Sequence, residues 1–319
     1  MSPFEERNMV SLPTLVSAII YSTLLSLMSV GLTLTYITTK VPNVAQGVLV
    51  TIGAYAVFTG VMFLGGSPYT YLPLAFLVSG AVATLLYCAF VNPLRKRGSS
   101  VITLMIATLS FDVMVFGFVN VYADYLQRTF GLPSKKFLFR RQDFSFLGQP
   151  GILLASVLVL MALPAFLHLI LRHTKLGLVF RATAENPTLS KVMGADVDRV
   201  YLASWFIAGG LAGLAGGFLP TWFQVNPSSG DTMIADMFAV SILGGLEEIY
   251  GAFLGGFLIG FAEIFVTLAL ARAFGPWVIK FKPLIPMVAL VLTLLFMPGG
   301  LVGGWKRLAG LRKFKREER

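Results

Sequence analysis

Long apolar runs broken at short intervals by polar residues leave this chain of 319 residues few folds to choose from. A helix rises about 1.5 Å per residue, so about 20 apolar residues are needed to cross the hydrocarbon of a bilayer. Such runs fall near 14–38, 44–64, 70–91, 101–121, 151–171, 200–223, 251–271 and 283–303, with a shorter one at 234–247. They are continuous rather than alternating with a period of two, which excludes a closed barrel. The pattern predicts an all-α, polytopic integral membrane protein with eight or nine transmembrane helices in one domain over 1–319. A mean hydropathy of +0.79 with 13% charged residues points the same way, since soluble domains carry about twice that charge.

Residues Met1–Arg7 lack the basic start of a cleaved signal, and the first apolar run is long, so the first helix is expected to remain. Nine crossings place the termini on opposite sides. Sixteen of the 25 Lys and Arg residues then fall on the proposed inner segments: Lys40, Arg95–Arg97, the stretch 172–199 and a basic tail at 304–319. Five of the other nine lie in one long loop, Tyr122–Pro150, and long loops translocate largely regardless of charge. The expectation is an outside N-terminus and a cytoplasmic C-terminus. A net charge of +10 collected at membrane exits suits anionic lipid headgroups, and no surface domain exists to present it to nucleic acid. Cys88 is the single cysteine, and His168 and His173 are the two histidines, which leaves no ligand set for a metal and no cofactor to expect.

The polar stretch Arg172–Arg199 interrupts this pattern with a short helix that has its own start and stop signals. Asn186 can cap it, Pro187 suits the first helical position, and Gly194 can take the left-handed turn that ends it. Leu189, Val192 and Met193 then share one face by their i, i+3, i+4 spacing. That stripe fits a partner's cleft. The competing reading is a helix lying on lipid headgroups, but three apolar side chains bury little area for an anchor. Arg181 and Glu185 could flank such a contact with charge pairs.

Small residues mark close-packing seams. Gly209, Gly213 and Gly217 recur at four-residue steps, as do Gly251 and Gly255, and small residues let helices approach in lipid. Asp112 and Glu263 are the charges deepest in the apolar runs, where an unpartnered carboxylate costs several kcal/mol. Each is a candidate for a translocation pathway, or for pairing with a backbone group or with Thr108 or Thr267 one turn away. Asn43 and Gln46 are further candidates for lining or gating the pathway, with a helix cap at Asn43 as the alternative. In the loop Tyr122–Pro150, Lys135, Lys136, Arg140 and Arg141 alternate with Phe137, Phe139, Phe144 and Phe146, a pattern for receiving an acidic partner or for lying on the membrane surface.

Five segments together resemble the membrane permeases of branched-chain amino acid importers, a family of the ATP-binding-cassette transporters. They are Pro42–Gly47, Leu94–Ser99, Arg181–Gly194 with Val197–Arg199, Leu243–Gly245 with Gly251 and Gly255–Gly256, and Phe296–Leu301. Gln46 stands where the family usually has histidine. Glu247, Glu248 and Tyr250 stand where it tends to have Gly-Ser and Pro. The resemblance implies that 172–199 docks on a separate ATPase subunit. It also implies a second, similar permease subunit and a substrate-binding protein on the outside, while this chain catalyses no covalent step. No phosphate-binding loop of the Gly-x-x-x-x-Gly-Lys-Ser/Thr type is present. The readings set against it are a proton- or sodium-coupled transporter using Asp112 and Glu263, and a urea-type channel with Asn43 and Gln46 at its constriction.

Overall fold

A computed structural model describes residues 12–146, 148–297 and 299–304. Met1–Ser11, Pro298 of the terminal signature, and the basic tail from Trp305 onward lie outside the described residues. Among the described residues twelve α-helices follow in order: α1 Leu12–Thr39, α2 Gln46–Leu64, α3 Leu72–Leu86, α4 Asn92–Lys96, α5 Val101–Phe130, α6 Gly151–His173, α7 Lys175–Glu185, α8 Pro187–Val192, α9 Val197–Trp222, α10 Ile234–Gly244, α11 Ile249–Phe274 and α12 Leu284–Phe296. A π-turn at Tyr87–Val91 joins α3 to α4, so the two continue as one rod over Pro68–Lys96.

Eight of these rods are long and apolar enough to cross a membrane. The chain is a multi-pass, all-α membrane protein. The ninth run, expected at 234–247, forms only the 11 residues of α10, about 16 Å of helix and half of what a bilayer needs. The residues before it, Asn226, Pro227, Ser228, Ser229 and Gly230, are turn formers, and the chain there is irregular.

Capping residues set the boundaries. Ser100 Oγ accepts from Thr103 N at 3.2 Å to open α5, which Gly131 ends at φ 65°. Thr174 and Asp196 cap α7 and α9 in the same way. The stretch Tyr122–Pro150 therefore divides into the last turns of α5 and an irregular segment beginning at Gly131.

Burial sorts the helices into a centre and a shell. The most apolar window of α1 is 83% buried, against 22% for α5 and 18% for α12, so α1 runs through the middle and α5, α6 and α12 face outward. The glycine seams build the centre. Gly209, Gly213 and Gly217 lie against Ala83, Ala75 and Leu72 of α3, and a Cβ on Gly216 would run into the Val50 carbonyl of α2. Gly251 and Gly255 press on Gly244 and Val240 of α10, while Gly256 and Gly260 press on Ser26 and Ser22 of α1. These contacts make α9 parallel to α2 and antiparallel to α1 and α3.

Two crossings are broken part way along the bundle. After α1 the chain turns at Lys40, with φ 55°, and returns inward before α2 starts at Gln46. Gln46 is level with Ala208, eleven residues along α9 and so about 16 Å from its start. The irregular segment after α9 descends from the other end to meet it: Gly230 N donates to Thr51 Oγ1 at 3.1 Å, and Gly230 abuts the Gly47 main chain. Gly230, four residues before α10, thus lies at the depth where α2 starts.

Candidate functional site

At one end of the bundle α7 and α8 form an elbow. Asn186 Oδ1 accepts from Leu189 N at 3.0 Å, Pro187 opens α8, and Gly194 closes it at φ 84°. The shared face predicted from spacing is bare: Leu189, Val192 and Met193 are 58%, 78% and 80% exposed. A groove of about 550 Å³ runs beside it between Leu178, Ala182, Glu185 and Met193. Arg181 and Glu185 also border a cleft with Lys40, Glu247, Glu248 and Tyr250, where Lys40 Nζ meets Glu247 Oε1 at 2.7 Å. Two segments of the resemblance join at this end, since Arg95 reaches Asp198 at 3.1 Å and stacks on the Tyr201 ring at 4.0 Å.

Gln46 and Asn43 hold the junction of the two broken crossings. The Gln46 amide donates to Met28 O and Ala208 O, both at 3.3 Å, and accepts from Asn43 Nδ2 at 3.1 Å. Asn43 Oδ1 accepts from Ala45 N, so it caps the turn into α2. Both side chains are wholly buried, and Gln46 ties α2 to α1 and α9.

Asp112 and Glu263 part company. Thr108 is engaged with Met105 O and Val44 N, and Thr267 with the main-chain oxygen of Glu263, so neither hydroxyl serves a carboxylate. Among the described residues, Asp112 Oδ1 is buried without a hydrogen-bond partner.

Glu263 belongs to a cluster of four. Its Oε1 lies 3.0 Å from Lys282 Nζ and 3.1 Å from the Tyr21 hydroxyl, and that hydroxyl lies 3.0 Å from Asp236 Oδ2. Lys282 Nζ also sits 4.1 Å over the Tyr21 ring. Asp236 is 4% exposed and Glu263 2%. The helices α1, α10 and α11 and the turn before α12 each supply one member. The four line a cavity of about 350 Å³ whose remaining wall is Leu219, Phe223 and the irregular segment before α10. Sequence reasoning singled out Glu263 and missed the other three. Asp236 carried a signal, as a charge inside an apolar run, whereas Tyr21 and Lys282 carried none until the fold brought them together.

The segment after α5 is partly buried. Phe137 and Phe139 are buried, with Phe137 paired to Val225 and packed on Phe58 at 4.5 Å, while Phe144 and Phe146 stay exposed. Lys135 is paired with Asp124 and Arg140 stacks on Trp222 at 4.1 Å.

This arrangement defines a class: a helical membrane protein with two broken crossings, a polar cavity at one end and an exposed capped helix at the other. Residues 14–297 match the family described as branched-chain amino acid transport system / permease component. The chain is 44% identical over 295 residues to a probable branched-chain amino acid transport permease protein LivH of Methanocaldococcus jannaschii, covering 92% of this chain and 93% of the relative. It is 26% identical over 306 residues to the high-affinity branched-chain amino acid transport system permease protein BraD of Pseudomonas aeruginosa, covering 92% and 95%. To the corresponding LivH of Escherichia coli it is 26% identical over 295 residues, covering 87% and 91%. No solved structure matches the chain. The protein belongs to the family of branched-chain amino acid transport permeases.

Proposed function

We propose that this chain is the membrane-spanning subunit of an importer that moves branched-chain amino acids inward and is driven by ATP hydrolysis on a separate subunit. The observation that carries this reading is α8, a helix capped at its start and closed by a left-handed glycine, whose three apolar side chains are bare. Bare apolar side chains on a fixed helix suit a cleft on another protein. The α7–α8 end then faces the cytoplasm, with Arg181 and Glu185 beside the contact, the N-terminus outside and the C-terminus inside. A second permease subunit completes the pathway, and a binding protein delivers substrate at the opposite end, where Phe144 and Phe146 are exposed. The chain itself performs no covalent chemistry. ATP binding on the partners would shift the population between outward and inward access through contacts that differ in the two states. Family membership favours this reading over an ion-coupled transporter or a channel.

Replacing Leu189, Val192 and Met193 together by Asp tests it. The expected outcome is loss of leucine uptake and of co-purification with the ATPase subunit, while the chain still reaches the membrane and melts as before, because none of the three is buried. Uptake that persists would overturn the docking role. Uptake abolished by a protonophore at constant ATP would overturn the importer reading as a whole.

A further inference from the structure

The cavity bounded by Tyr21, Asp236, Glu263 and Lys282 has an unbalanced inventory. It holds two carboxylates and one ammonium, all on separate elements, and the carboxylates are almost wholly buried. Lys282 serves Glu263 Oε1. The Tyr21 hydroxyl has one proton to give, and it fits Asp236 Oδ2. Asp236 Oδ1 and Glu263 Oε2 then remain buried without a hydrogen-bond partner among the described residues. A buried carboxylate oxygen left without a donor costs more than a neutral one, so the arrangement asks for one further positive group with several N–H donors. A primary ammonium carries three donors and one charge, which together with Lys282 balances the two carboxylates.

The walls say what that ammonium is attached to. Leu219, Phe223 and Met233 give the cavity an apolar side, and Asn226, Ser229 and Thr232 give it a polar side along the irregular segment. A volume of about 350 Å³ is at the small end of ligand sites. The cavity also lies at the end of the bundle opposite α8. We propose that it is a recognition subsite in the permease for the α-ammonium group of the transported amino acid, held by the Asp236 and Glu263 carboxyl groups that line it. The aliphatic side chain lies on the apolar wall and the carboxylate on the polar one. This rests on the amino-acid reading above, and it adds selectivity in this chain to whatever a binding protein supplies.

The test uses the purified complex of this chain with its permease and ATPase partners, without the binding protein, and measures equilibrium binding of radiolabelled L-leucine and of its α-hydroxy analogue. The analogue keeps the carboxylate and the side chain and lacks only the ammonium. Leucine is expected to bind saturably and the analogue at least about tenfold more weakly, the loss of a close charge pair. Asp236→Asn and Glu263→Gln keep the shape and are each expected to weaken leucine by about tenfold or more in variants that still purify as the assembled complex. Equal binding of leucine and analogue overturns the proposal, and this comparison needs no variant to fold. Displacement of sodium rather than leucine by the substitutions also overturns it, making the site one for an inorganic cation. A wild-type complex that imports leucine once the binding protein is added, yet shows no saturable binding without it, overturns the subsite alone. A complex that imports no leucine even with the binding protein overturns the amino-acid reading instead.

Discussion

Gln46 illustrates how one side chain can hold three elements. Its amide bridges main-chain oxygens of α1 and α9 from the first position of α2, in a wholly buried site. Gln46→Leu keeps the volume but strands Asn43 Nδ2, and should cost about 1–3 kcal/mol, read as a lower melting temperature of the purified protein. Lys40 makes a different case. It is the one non-glycine residue with positive φ among those described, a conformation that costs about 1–2 kcal/mol, and its ion pair with Glu247 is exposed and worth about 0–1 kcal/mol. Lys40→Gly loses the pair but also the strain, whereas Lys40→Ala loses only the pair. The glycine variant should therefore melt higher than the alanine variant. The polar residues at 43 and 46 stood out in the sequence. Their partners did not, because Met28 O and Ala208 O are main-chain atoms that no side-chain pattern announces.

Glycine placement decides which helices touch. Gly213→Val and Gly216→Val would each push a side chain into a carbonyl of the neighbouring helix, Ala75 O of α3 or Val50 O of α2, where neither backbone can yield. Both should sharply reduce the yield of monodisperse protein after detergent extraction, since overpacking costs about 1–3 kcal/mol or more. Gly117 on α5 meets nothing within 4 Å, so Gly117→Ala should be neutral or raise stability by up to about 1 kcal/mol through helix propensity. The four-residue spacing of Gly209, Gly213 and Gly217 was legible, and so was α8 with its caps, because both depend on residues close in sequence. The half-length α10 was less legible. Its apolar run reads like a short span, and hydropathy reports affinity for lipid or protein interior without saying how deep in the bundle a helix begins. The cavity was least legible of all, since Tyr21 and Lys282 are 261 positions apart and each is ordinary alone.

Across the whole molecule, the exposed α8 and the polar cavity lie at opposite ends, and the two broken crossings lie between them. Where α2 begins, Gly47 and Gly230 meet main chain to main chain, and Thr51 Oγ1 accepts from Gly230 N beside them. Side chains at a constriction can swing between rotamers and admit partial openings, but bare backbone has no such intermediate settings. The junction can be shut, or two whole segments can part. Spin labels on Phe63, at the exposed end of α2, and on Gln224, before α10, should accordingly report two discrete distances whose proportions change with nucleotide, and a single broad distribution would contradict this. Such a joint behaves as a toggle, and a toggle wastes little of each turnover on half-open leaks.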